Sequence, residues 1–111
     1  MDVVFVFLDS GTQNLYQLRQ WIQPLQRLSR IYSVGVLYTS NFADEELWGS
    51  SLQAFRVDGQ EGIAEFLIDQ KPKILLYPNQ NAKNFFALRN RYGLHVWVSH
   101  GESDKAYMFQ N

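Results

Sequence analysis

Five short apolar runs alternate with stretches whose apolar residues recur at helical spacing, and this alternation leaves few folds open. The runs are Val3–Leu8, Ile31–Thr39, Gln53–Val57, Ile74–Tyr77 and Leu94–Val98. Each has strand length, and an unbroken run such as Val3–Leu8 suits a central parallel strand covered on both faces. Between the runs, Leu15, Leu18, Ile22, Leu25 and Leu28 mark a first helix. Asp9 through Thr12 offers it turn chemistry and a cap. Pro24 lies inside the pattern and lacks an amide, which predicts a kink or a fresh first turn there. Ala43–Trp48 reads as a short acidic helix closed by Gly49. Asp58-Gly59 is a turn, and Ile63, Phe66 and Leu67 put a narrow stripe on the next helix. Lys71-Pro72 stops it, because the residue before proline avoids helical backbone. Phe85, Leu88 and Tyr92 mark a fourth helix that Gly93 terminates.

Strands alternating with helices predict an α/β three-layer domain, a parallel sheet with helices on both faces. Right-handed crossovers leave few topologies, and the order 3-2-1-4-5 is favoured by analogy with doubly wound sheets. The switch point then falls between the first and fourth strands. The loops Asp9–Asn14 and Pro78–Asn81 flank it, and ligands of open α/β sheets bind at such carboxyl ends. Ser10, Gly11 and Asn79 are the candidate binding residues of those loops.

The chain has 111 residues, enough for one domain with a single core. At 46% hydrophobic and 19% charged residues it is too apolar for disorder. A net charge of −1 argues against a nucleic-acid binder, which shows a basic excess. No cysteine is present, so disulfides and thiolate metal or redox sites are excluded. The amino terminus has neither a basic leader region nor a long apolar stretch, and the expected location is the cytoplasm.

The segment after the fifth run concentrates the chemistry. His100-Gly101-Glu102-Ser103-Asp104-Lys105 follows the apolar strand abruptly. His100 is one of two histidines, and an imidazole is the natural general base near neutral pH. The other, His95, lies within the strand and reads as a packed, partly buried residue. Gly101 would let a ligand approach the backbone. Ser103 could cap a helix whose free amides, with Lys105, attract an anion. The same residues also fit an ordinary polar loop followed by a capped turn with solvated charges. A metal site on His100, Glu102 and Asp104 has no second histidine or cysteine to support it, and none is expected. The first loop matches neither GxGxxG nor GxxxxGK[ST], so no nucleotide cofactor is implied. The aromatic residues Phe85, Phe86, Tyr92 and Trp97 are expected mostly in the core.

The motif His100–Lys105, followed by Ala106-Tyr107-Met108 and preceded by Tyr77-Pro78-Asn79, resembles one in the CDP-glycerol glycerophosphotransferase family of teichoic-acid and capsule-type polymerases. The motif is fairly specific; the rest of the resemblance is at the level of pattern. It implies that residues 1–111 are a single Rossmann-like domain, the amino-terminal half of a two-domain GT-B transferase. It also implies that His100 is the base, with Gly101, Ser103, Asp104 and Lys105 beside the phosphates. The implied partners are a CDP-polyol donor and a polyol-phosphate acceptor, with membrane contact confined to regions outside this chain. The resemblance places most of the donor site in a second domain, so the isolated chain is expected to be inactive. The competing class is a non-catalytic flavodoxin-like module that binds a small anion or a protein partner.

Overall fold

The computed structural model describes residues 1–98. The strands are β1 (Val3–Phe7), β2 (Val34–Tyr38), β3 (Gln53–Arg56), β4 (Ile74–Tyr77) and β5 (Leu94–Trp97). The helices are α1 (Leu15–Leu28), α2 (Phe42–Leu47), α3 (Gly59–Gln70) and α4 (Asn84–Leu88). All strand pairs are parallel and the sheet order is β3-β2-β1-β4-β5, as the sequence predicts.

β1 is central and buried on both faces because both sets of its alternating side chains are apolar. Val3, Phe5 and Phe7 pack with Leu15, Leu18 and Leu25 of α1 and Ala43 and Leu47 of α2. Val4 and Val6, with Leu8 just beyond the strand, pack with Ile63, Phe66 and Leu67 of α3 and Ala87 of α4. Three layers follow directly, with α1 and α2 on one face and α3 and α4 on the other. Phe5, Phe7, Leu8 and Leu18 are fully buried. Each such side chain stabilises the fold by about 1.5–3 kcal/mol relative to exposure.

Several boundaries depart from the sequence reading. β2 starts at Val34 rather than Ile31. The amides of Ile31 and Tyr32 both turn back to the Leu28 carbonyl and finish α1, which leaves Ile31 76% exposed. α1 runs unbroken through Pro24, so no new helix begins there. Its N-cap is Asn14 rather than a residue of Asp9–Thr12, and the Asn14 side chain bonds Asp9 instead of capping. α2 covers Phe42–Leu47 against the expected Ala43–Trp48, and Gly49 follows it in the left-handed region at φ 77°. α3 stops at Lys71-Pro72, Lys71 itself taking left-handed backbone.

The largest correction concerns the aromatic residues. α4 ends at Leu88, where the Asn90 amide returns to the Ala87 carbonyl, so Tyr92 lies outside the helix. Phe85, Tyr92 and Trp97 are exposed and Phe86 is half-buried. Their spacing suggested core, but β5 is an edge strand paired with β4 alone, and its four residues are only half-buried or exposed. Trp97 still leans on the buried Tyr77, with ring centroids 4.8 Å apart.

His95 is half-buried, as expected, and is held at both nitrogens. Nε2 lies 2.8 Å from the Asn90 carbonyl, which can only accept, so Nε2 carries the proton. Nδ1 then accepts from the Tyr77 hydroxyl at 2.6 Å. This chain ties β4, β5 and the end of α4 together. Burial pushes the Tyr77 hydroxyl well above its ordinary pKa. Tyr38 is pushed up to about 12, first by burial and then by its hydrogen bond to Asp44 at 2.5 Å.

Two measurements check this picture. A Cβ on Gly93 would lie 2.6 Å from the Pro72 carbonyl oxygen, whereas one on Gly35 would chiefly meet the flexible end of Met1. Gly93→Ala is therefore expected to cost about 1–3 kcal/mol in urea unfolding and Gly35→Ala less. The second is alkaline. Below about pH 10 both tyrosines are protonated, folded or unfolded, and the stability they contribute is fully present. As the pH rises toward 12 the unfolded chain ionises first, so stability falls. Tyr38→Phe should flatten that fall relative to the parent, as read from urea midpoints between about pH 9 and 12.

Candidate functional site

The register that sets Val3 opposite Ile74 brings Asp9, just past β1, opposite the loop 79–81 that follows β4. This is the switch point of the sheet. Both loops are rich in short polar side chains, which supports turns and mutual hydrogen bonding. Asp9 Oδ2 accepts from Asn79 Nδ2 at 2.5 Å, and Oδ1 accepts from Asn81 Nδ2 at 2.6 Å and Asn14 Nδ2 at 3.3 Å. Asn79 Nδ2 also donates to Gln17 Oε1 at 2.6 Å. Gln17 is a polar residue on α1 that is only 2% exposed, and this contact accounts for its burial.

The second loop is self-braced. Asn79 Oδ1 accepts the Asn81 amide, and Asn81 Oδ1 accepts the Lys83 amide at 2.8 Å. The Asn79 carbonyl accepts from Asn84 Nδ2 at 2.8 Å. Asn84 is buried, and its Oδ1 has no partner. A carboxylate surrounded by amide donors is well satisfied, and hydrogen bonds to a charged group are the stronger kind. The network locks the two loops to each other across the switch point.

Two clefts open on this edge. The smaller, about 420 Å³, is bounded by Asp9–Asn14 and Asn81. The larger, about 520 Å³, lies over the carboxyl ends of β1, β2 and β3, with Ser10, Asn41, Phe42, Asp58 and Lys83 on its walls and Ile63 in its floor. Both volumes fall in the range of small-molecule sites. Beside the larger cleft, Arg56 bonds Asn41 and pairs with Asp44 at 3.1 Å, so that guanidinium is already engaged.

The structure therefore sorts the expected site residues. Ser10 and Gly11 are exposed on the smaller cleft, and a side chain at Gly11 would meet open space. Asn79 is half-buried and turned into the Asp9 network. His100, Gly101, Ser103, Asp104 and Lys105 lie outside the described residues, as do Glu102 and the helix expected after Ser103. The sequence reading missed Asp9, Asn14, Gln17 and Asn81 as one network, and Asp58 and Lys83 as walls of one cleft. The alternation of asparagines at 79 and 81 opposite an aspartate was the available signal for the network. Among the described residues no group of three histidine, aspartate or glutamate side chains is arranged to hold a metal ion, and no helix is long and apolar enough to cross a membrane.

No family model matches the chain, and no curated protein or solved structure matches it either.

Replacing Asp9 leaves amides facing a weaker acceptor set. Asp9→Asn is expected to lower stability by about 1–3 kcal/mol, while Ser10→Ala beside it changes it by less than about 0.5. Urea unfolding of both variants checks this. Equal midpoints would show that the network does not brace the loops.

Proposed function

We propose that this chain is the amino-terminal, acceptor-side half of a GT-B transferase. The enzyme would move glycerol phosphate, or a related polyol phosphate, from a CDP-activated donor to an acceptor hydroxyl in cell-wall or capsule polymer synthesis. The observation that carries the reading is the His100–Lys105 motif, whose histidine comes three residues after the end of β5. Two features support it. The parallel sheet has the order of a Rossmann-like half, and two clefts open at its carboxyl edge, one over the ends of β1, β2 and β3 and one at the loop after β1.

In this reading the acceptor oxygen attacks the β-phosphorus of the donor. The new O–P bond forms as the bridging bond to the α-phosphate breaks, CMP leaves, and His100 takes the hydroxyl proton. Gly101, Ser103, Asp104 and Lys105 lie beside the phosphates, and Asn79, Ser10 and Gly11 belong to the loops that shape the cleft. No metal or cofactor is required of this chain, and no nucleic-acid partner is proposed. A cytoplasmic site facing the inner surface of the membrane fits such a substrate.

A second reading, a non-catalytic module for a small polar ligand, is favoured by one observation. Asp9 is saturated by amides and His95 is tied at both nitrogens, so neither is free to act as a base.

The test is CMP release from CDP-glycerol and related CDP-polyols by the protein of the full reading frame. His100→Ala should lower kcat by about 10²–10⁴ and leave the acceptor KM nearly unchanged. Lys105→Ala should instead raise KM, since a lysine there acts as a point charge. Matched thermal midpoints exclude structural damage. Activity above about a third of the parent in His100→Ala puts the base elsewhere. Absence of CMP release from every donor favours the binding module.

A further inference from the structure

The two faces of β4 are buried unequally, although β4 has a neighbouring strand on each side. Leu75 and Tyr77 point to the face of α3 and α4 and are fully buried. Ile74 and Leu76 point to the face of α1 and are only half-buried. The register sets Leu94 beside Ile74 and Val96 beside Leu76, so β5 continues the same apolar surface. There Leu94 is 63% exposed and Val96 half-buried. On this side α1 and α2 pack against β1 and β2, while α3 and α4 pack on the opposite side. The half of the face formed by β4 and β5 therefore has no helix of its own among the described residues. A groove of about 300 Å³ lies between the end of α1 and β4, with Leu28, Tyr32, Ile74 and Leu76 on its walls. Its only charged residues, Asp2 and Lys73, are paired with each other at 3.5 Å, so it suits apolar side chains rather than a charged ligand.

We infer that the chain beyond Val98 turns back over this face and seats Ala106-Tyr107-Met108-Phe109 in the groove. Val98 packs against the same cluster as Ile74 and Leu76, so the chain leaves β5 on the side of the groove. After Val98 the residues are polar or small as far as Lys105, and the four that follow are apolar. Tyrosine and phenylalanine bring large apolar area, and methionine adapts to irregular gaps. The reach is sufficient. The eight residues from Val98 to Ala106 span up to roughly 27 Å, while the four residues of β5 rise about 13 Å. A tethered segment acts at an effective concentration of about millimolar, whereas a second copy of the chain must also offset lost translational and rotational freedom. Such docking is independent of the transferase reading.

The chain has no cysteine, so Gln110→Cys takes a nitroxide label at a single site. In the 111-residue chain this label should broaden the amide signals of β4, β5 and the end of α1 and spare those of α3 and α4. A mixture of spin-labelled chain with isotope-labelled, cysteine-free chain distinguishes a tethered segment from a second copy, and the broadening should vanish in it. Tyr107→Asp combined with Phe109→Asp should abolish the broadening and lower the urea midpoint, because a carboxylate is costly to bury in an apolar groove. Both substitutions lie outside the described core, so the β1 amide signals should match the parent's. Three results overturn the proposal: broadening that is uniform or absent, broadening that persists in the mixture, or a parent-like urea midpoint in the doubly substituted chain.

Discussion

Two-sided burial of β1 is the constraint from which the rest of the architecture follows. A strand with apolar side chains on both faces needs a helix layer above and below and a paired strand on each edge. β2 and β4 supply the edges, α1 and α2 one layer, α3 and α4 the other. Because the chain returns from β3 to the far side of β1, the loops after β1 and β4 leave the sheet next to each other and diverge. That divergence opens space at the carboxyl edge, and it is also where unpaired backbone would be costly. The asparagines of the second loop answer the second problem by bonding backbone groups within it, and Asn79 and Asn81 also cross the gap to Asp9 with their side-chain amides.

The chemistry of that network determines what it does. A carboxylate acting as a general base needs a free lone pair directed at a substrate proton. Both oxygens of Asp9 already accept from asparagines that are themselves held by backbone or side-chain contacts. The network is thus a brace, and a rigid loop pair is what a binding cleft needs from its walls. Asp9 is therefore not a base for chemistry on this edge. In the transferase reading the base is His100.

Strand number, direction and order were legible because they depend on the coarse period of apolar residues and on crossover handedness. Ile31 and Tyr32 misled because an apolar residue looks the same in a strand as in the turn that finishes a helix; only the destination of the two amides distinguishes them. Phe85, Tyr92 and Trp97 mislead because their spacing points to a packed face, while their exposure depends on how few neighbours the edge of the sheet has. The candidate loops were legible once the order was assumed, but the Asp9 contacts were not. They depend on register, and on which of several amides in a loop turns inward. Lys83 and Asp58 are distant in sequence, and nothing in their neighbours says that two different crossovers bring them to one cavity.

Paired and unpaired charges differ in what they fix at the larger cleft. Surface ion pairs contribute about 0–1 kcal/mol each, so their presence says little about stability. Their geometry is more informative. Arg56 reaches both Asn41 and Asp44, and Asp44 in turn accepts the Tyr38 hydroxyl, so the charges beside the larger cleft are drawn into the wall and fixed. Lys83 is held by its backbone amide to Asn81 while its ammonium remains unpaired among the described residues. Its position is therefore set by the same asparagine that binds Asp9. The brace that closes the switch point also places the start of α4, and with it the cation on the cleft wall. Loop rigidity and cleft electrostatics are in this way two results of a single hydrogen-bonded loop.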